Sequence, residues 1–302
     1  MSAPLEPFSG LFGVFDDSLP DGGEPPRILD LDRLAQESRE VLSAAAVDVL
    51  PELLRLGGSP HGAQPKVLVS LRPEEGCVVS TPAEPGLRAV LVKFRGVGDE
   101  EDAGPIEFAY HAMARAAGIE VPEAWLLPGA RTGGFFAVER FDLVHGRRWH
   151  VHTLCGLLHA DHRLPSLDDV GALAAVHRLI GDWQQLEQMF RRMVFNVLAH
   201  NRDAHTRQVS LRMDREGRWT LAPAYDLTFT EGPGGEHSMA VAGEGRPGRV
   251  DLLRTADQVG IARRGAQAII DEVAAAVAGW PGHAASAGVN RAVMEHIRRH
   301  LP

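Results

Sequence analysis

Apolar residues recur at helical spacing along residues 183–198: Trp183, Leu186, Met189, Phe190, Met193, Val194, Val197 and Leu198. The spacing predicts a buried helix, with Asp182 as N-cap and Gln185 three residues on completing a capping box. The period then shortens to two. Val209, Leu211 and Met213 alternate with polar residues, Asp214 to Gly217 turns the chain, and Trp219 and Leu221 alternate again, which reads as a β-hairpin. Between helix and hairpin lies a polar stretch, His200-Asn201-Arg202-Asp203-Ala204-His205-Thr206-Arg207-Gln208. Just past the return strand stands Ala224-Tyr225-Asp226. The hairpin is expected to bring Asp203 and Asp226 close in space, although they are 23 positions apart.

Residues 1–27 are a Pro-, Gly- and Asp-rich lead-in that carries one apolar patch, Leu11 to Phe15. Residues 28–56 have helical spacing, interrupted or restarted at Pro51. A Gly-rich loop, Gly57 to Lys66, leads into the strand Val67 to Leu71, and a turn-rich stretch leads to a second strand, Ala89 to Phe94. After an acidic loop, a helix is predicted over residues 105–117, with Pro105 at its first position and Glu107 in its first turn, where a carboxylate suits the helix dipole. Strands are predicted around residues 124–127 and 135–139. Glu139-Arg140-Phe141-Asp142 then reads as a polar crossing into a mostly helical, His-rich segment. Residues 229–239 form a Gly-rich loop suited to a lid or to substrate binding, or to a plain connection. Helices over residues 251–259, 264–280 and 289–301 show apolar spacing and no chemistry. The expected class is α+β: a lobe with an antiparallel sheet over residues 1–140 and a mostly helical lobe over residues 141–302.

Composition narrows the function. The chain has 302 residues and a net charge of −9, which argues against nonspecific nucleic-acid binding. Cys77 and Cys155 show no metal-ligand spacing and fit a reduced compartment. No apolar run reaches about 18 residues and the first residues lack a signal-peptide pattern, so a soluble, cytoplasmic protein with no membrane partner is expected. Of the 31 Lys and Arg residues only Lys66 and Lys93 are lysine. Both fall in segments of interest, and a compact ammonium does what a guanidinium cannot. Chance survival in a GC-rich coding sequence is the bland alternative.

Two carboxylates placed by a helix and a hairpin, with His205 and an amide at Gln208 beside them, suit a divalent cation with its phosphate ligand. Mg²⁺ takes few protein oxygens and keeps the rest of its shell for water or substrate. In phosphoryl transfer one Asp accepts the hydroxyl proton while a second Asp and an amide hold the metal. The spacing Asp203…Gln208…Asp226 resembles that kinase pattern. Lys93, on an apolar strand, calls for a partner, and Glu107 is the candidate; capping alone is the competing account of Glu107. A rival reading takes His200, Asp203 and His205 as ligands of a hydrolytic metal, although zinc-binding histidines on a helix are usually spaced i, i+4. The histidines of residues 143–181 read as solvent-facing or helix-end groups.

Four stretches together resemble the HipA family of serine/threonine kinase toxins: Gly58 to Lys66, Val138 to Asp142, Asn201 to Thr206, and Leu221 to Asp226. The resemblance spans nearly the whole chain. It implies a bilobal protein-kinase-like fold using ATP and Mg²⁺, with Asp203 as catalytic base and Asp226 as metal ligand. It makes Lys93 a phosphate contact, His61, Gly62, Ala63, Gln64, Pro65 and Lys66 the phosphate loop, and Glu139, Arg140 and Phe141 the adenine side. His205 and Tyr225 join the nucleotide site. Ser59 falls where the family autophosphorylates. The implied substrate is an aminoacyl-tRNA synthetase, and the implied partners are antitoxins, among them a HipB-like DNA-binding protein.

Three departures from the family pattern stand out. Gln208 replaces the metal-binding Asn and carries its oxygen one methylene further out. Arg207 replaces a Lys. The family's N-terminal subdomain does not precede residues 11–20, as in the short HipT-type kinases, where a separate HipS-like protein supplies it; the patch Leu11 to Phe15 is the expected dock for that protein. The alternatives are a pseudokinase-like nucleotide-binding module, which the Gln208 change favours, and a small-molecule kinase.

Overall fold

The computed structural model describes residues 28–42, 64–79, 86–96, 99–130, 132–144, 147–160 and 167–302. The patch Leu11 to Phe15, Pro51, Ser59 and the loop residues His61, Gly62 and Ala63 lie outside the described residues.

Strands β1 (Lys66–Arg72), β2 (Cys77–Val79), β3 (Arg88–Lys93), β4 (Ala124–Leu127) and β5 (Phe135–Glu139) form one antiparallel sheet in the order β2-β1-β3-β5-β4. Alternation decides what each side of it does. Val67 and Val69, opposite Val92 and Val90, face a small core closed by Leu29 and by Leu34 and Ala35 of helix α1 (Leu31–Leu42). The other side sets Lys66 opposite Lys93 and Leu68 opposite Leu91. Two cationic side chains at directly opposed positions repel, so this face needs anions.

Helix α2 (Ala103–Ala116) begins two residues earlier than expected. Pro105 is therefore its third residue, and Glu107 lies in the second turn, buried, where capping does not account for it. Gly104 permits this start: a Cβ there would stand 2.3 Å from the carbonyl oxygen of Gly134. Ile106, Ala109, Tyr110 and Met113 join the large core of the second lobe. The Tyr110 hydroxyl donates to the Ala199 carbonyl at 2.7 Å, tying α2 to the chain just before His200.

The second lobe opens with strands rather than helix. β6 (Leu143–Val144) and β7 (Arg147–Arg148) form a hairpin, and β8 (His150–Thr153) pairs antiparallel with β9 (Ser210–Met213), which pairs with β10 (Trp219–Leu221). The β-branched Val151 and Thr153 suit such a strand; the sequence reading of a mostly helical segment missed it. Helices α3 (Leu154–Leu157), α4 (Asp169–Ile180) and α5 (Trp183–Leu198) follow. Asp182 caps α5 as expected, accepting from the Gln184 N–H at 2.7 Å. Gln185 does not complete the box: its Oε1 accepts from the Leu221 N–H at 2.9 Å and pins the hairpin to α5. Trp183 is 53% exposed and packs on His177 instead of entering the core. The last helices are α6 (Arg249–Gln258), α7 (Arg263–Ala278), α8 (Trp280–Ser286) and α9 (Arg291–Arg298). The helix expected through residue 280 breaks at Gly279, and Trp280 instead opens α8, fully buried, donating to the Met294 carbonyl at 3.0 Å. Among the described residues no helix is long and apolar enough to cross a membrane.

Candidate active site

The crossing from sheet to second lobe leaves a cleft of about 500 Å³, open solvent included. Leu91, Phe136 and Val138 line it from the sheet, and Ala224 and Leu227 from the other lobe. Lys93 and Asp226 stand on its wall.

Lys93, the last residue of β3, sends its ammonium between two carboxylates. It donates to Glu107 Oε1 at 2.5 Å and to Asp226 Oδ1. The Lys93 and Glu107 side chains are only 10% and 7% exposed. Burial opposes the charge on Lys93, but the Asp226 and Glu107 carboxylates outweigh it and hold the ammonium above the ordinary lysine value. Burial likewise opposes the charge on Asp226, and Lys93 with Lys66 overcomes it, keeping that carboxyl below its ordinary value. For Glu107 burial prevails over Lys93 and lifts the carboxyl. Lys66 is lowered, first by burial. The anions demanded by the opposed lysines are thus supplied from α2 and from the chain after β10.

Asp226 adopts a left-handed backbone with φ 55°, uncommon for a residue with a side chain and frequent at functional sites. Asn201 supports it: its Nδ2 donates to the Asp226 carbonyl at 3.5 Å and to Asn196 Oδ1 at 3.0 Å.

Asp203 is exposed, on the loop leaving α5. Its N–H donates to Thr230 Oγ1 at 2.9 Å, and its Oδ1 accepts from the Ser238 hydroxyl at 3.2 Å. Asn201 forms a bridge with Thr230, and Arg202 donates to the Gly235 carbonyl at 2.7 Å. The Gly-rich loop over residues 229–239 is therefore docked on the Asp203 loop.

At the crossing, the Glu139 N–H donates to the Glu123 carbonyl at 2.8 Å and the Arg140 N–H to the Ala89 carbonyl at 2.9 Å, so both amides serve the fold. Arg140 forms a two-pronged ion pair with Asp142, at 3.0 and 2.7 Å. Phe141 stacks on Tyr225 with centroids 5.7 Å apart. The Tyr225 hydroxyl lies 2.6 Å from Ser210 Oγ and donates to the Arg207 carbonyl at 2.7 Å. Before β1, Gln64 Nε2 donates to Asp99 at 3.0 Å and the Pro65 carbonyl accepts from the Phe94 N–H at 2.8 Å.

His205 caps the 3₁₀ turn Thr206–Gln208, and its charge is the least of those that lower the Asp226 carboxyl. Gln208 Oε1 accepts from the His205 N–H at 3.3 Å, so the oxygen expected to meet a metal closes that turn instead. The rival trio does not converge as read: the His200 ring stacks on Phe229 and faces His300. Residues not singled out from the sequence include His111 in the cleft wall, Asn196, Thr230 and Ser238. Nothing in their spacing marks them; contacts made by other elements place them.

A family model described as the HipA-like C-terminal domain matches residues 58–280, and the chain belongs to this family. "Putative kinase Y4dM" of Sinorhizobium fredii is 28% identical over 207 residues, covering 62% of this chain and 48% of that protein. The chain thus spans about half the length of that relative. A HipA chain from a Shewanella oneidensis complex of HipA, HipB and operator DNA superposes with a TM-score of 0.67 at 18% identity, over 95% of this chain and 72% of that one. The fold is a bilobal, kinase-like α+β architecture.

Proposed function

We propose that the chain is an ATP- and Mg²⁺-dependent serine/threonine protein kinase that acts as the toxin of a toxin–antitoxin pair, with residues 1–140 and 141–302 as its two lobes. The observation that carries this reading is the Lys93–Glu107–Asp226 ion cluster on the wall of an apolar cleft.

In this reading the purine enters between Leu91 and Leu227, with Glu139, Arg140 and Phe141 beside it and Tyr225 buttressing Phe141. Lys93, oriented by Glu107, meets the phosphates, and Lys66 with His61, Gly62, Ala63, Gln64 and Pro65 forms the phosphate loop. Asp203 accepts the proton of the attacking hydroxyl as its oxygen bonds to the terminal phosphorus and ADP leaves. The donor set fits a hard divalent cation, because Asp226 is an ionised carboxylate and Gln208 offers an amide oxygen. Mg²⁺, when bound, neutralises charge building on the phosphate oxygens. Asp226 and Gln208 would hold it, and Gln208 would have to release the His205 amide to do so.

Ser59 is the proposed self-phosphorylation site and an aminoacyl-tRNA synthetase the proposed external substrate. The HipA neighbour's complex with HipB and DNA supports a HipB-like antitoxin partner, and the Leu11 to Phe15 patch is the proposed dock for a HipS-like one. A second reading, a nucleotide-binding regulatory module, draws on the Gln208 oxygen being committed to a cap.

The test is mass spectrometry of the chain incubated with ATP and Mg²⁺, beside Asp203→Ala. Phosphate on Ser59 in the parent alone supports the kinase. No phosphate and no ATP-induced rise in melting temperature rejects both readings. ATP stabilisation without transfer, to Ser59 or to added synthetases, favours the regulatory module.

A further inference from the structure

The C-terminal helix, which showed apolar spacing and no chemistry in the sequence, carries a second constellation. His296 stands in the last turn of α9 and His300 four residues on, in the turn just past its end, and Glu231 reaches them from the loop that follows Asp226. The metal-binding atoms of the three lie within 4.8 Å of one another, and His296 Nε2 is 3.7 Å from Glu231 Oε1. Two histidines whose ring nitrogens converge with a carboxylate form the donor set of a zinc site that keeps a fourth position open.

The surroundings suit the same chemistry. His300 Nδ1 lies 3.0 Å from the His296 carbonyl, so it carries the hydrogen and leaves the Nε2 lone pair for a ligand bond. Phe229 packs on both rings, at 5.8 and 5.3 Å between centroids, and His200 stacks on Phe229 and lies 5.2 Å from His300. Two features oppose it. Arg299 brings a cation close, and its Nη2 lies 3.5 Å from His296 Nδ1, the nitrogen that must hold the proton when Nε2 binds metal. That contact is long and its loss costs little. Zinc bonds of about 2.0–2.1 Å set tetrahedral donors about 3.3 Å apart, so the side chains must close by roughly 1.5 Å. The Glu231 side chain is 66% exposed and that of His296 45%, which leaves both room to rotate.

We propose that Glu231, His296 and His300 bind zinc or a similar divalent transition metal and so fasten the C-terminal helix to the loop over residues 229–239. Glu231 adjoins Thr230, whose hydroxyl accepts from the Asp203 N–H, so the metal immobilises the support of the Asp203 loop. The test reads metal binding and hydrogen exchange, with no readout of phosphoryl transfer.

Full-length, tag-free protein is stripped with a chelator and titrated with Co²⁺, followed by Zn²⁺ competition. The expected result is one equivalent of Co²⁺ with visible d–d absorption, displaced by Zn²⁺. Affinity falls at least about tenfold in His296→Ala, His300→Ala and Glu231→Gln, and holds in the control His283→Ala. Hydrogen exchange over residues 229–239 slows with Zn²⁺ in the parent and in His283→Ala only. Circular dichroism confirms that each variant is folded. Absence of saturable binding, or binding that survives all three substitutions, overturns the proposal. Loss on His205→Ala with no change in the His296 and His300 variants overturns it too and assigns the metal to the Asp203 loop.

Discussion

Asp226 and Asp203 are held in opposite ways. Asp226 is fixed by charge: an ammonium from β3, a second lysine from β1 and a carboxylate on α2 set its environment. Asp203 is exposed and fixed by hydrogen bonds from a neighbouring loop. A carboxylate that must stay ionised in a low-dielectric cleft needs countercharge from distant parts of the chain. One that meets an incoming hydroxyl, as proposed for Asp203, needs a steady backbone and an open face. The first kind of site couples to global stability; the second hardly does.

The largest expected effect follows from removing the shared cation. Lys93→Met leaves the buried Glu107 carboxylate without its cation and Asp226 with Lys66 alone, and denaturant unfolding should show a loss of about 3–5 kcal/mol together with loss of phosphotransfer. Adding Glu107→Gln should restore part of the stability and none of the activity. If Lys93→Met were as stable as the parent, the claim that charge organises this half of the site would fall. Asp203→Asn is the counterpart: unfolding free energy within about 0.5 kcal/mol of the parent, with phosphotransfer down by about 10²–10⁴-fold. A large stability loss there would erase the contrast.

A pH titration sharpens it. Burial pushes His111, whose Nε2 lies 2.7 Å from the Pro122 carbonyl, down to about 4 from an ordinary 6.5. The unfolded chain therefore binds an extra proton in that interval. Stability is complete above about pH 6.5 and falls towards pH 4 by about 1.4 kcal/mol per unit for this group. His200 and His237, also pushed down to about 4 by burial, act with the same sign. Stability measured from pH 7 to 4 should flatten by about one proton in His111→Gln. The smallest effect belongs to Ser238→Ala, which releases Asp203 Oδ1: a cost of about 0.5–1.5 kcal/mol in transition-state stabilisation, a few-fold to about tenfold in kcat, with little change in melting temperature.

The helix α5, the hairpin after it, strands β4 and β5 and the Lys93–Glu107 pairing were legible because each rests on local period or on a charge that burial would strand. The readings that failed concern choices made by the rest of the molecule. Gln185 had two uses, and the nearby Leu221 amide claimed it. Trp183 had helical spacing, yet its turn of α5 faces solvent. Residues 143–153 carried too few alternations to announce strands whose partner lies some 60 positions later. Gln208 was legible as an amide five positions past Asp203, but not that the His205 N–H would take its oxygen.

The rarity of lysine has a practical outcome. Apart from the terminal amine, the chain offers a single pair of primary amines to an acylating reagent, and both stand on the cleft side of the same strand pair. Lys66 is only 6% exposed and the Lys93 side chain 10%. Amine labelling thus works as a built-in occupancy probe: side-chain modification rises when the cleft opens and falls when a ligand fills it, against no background from other lysines.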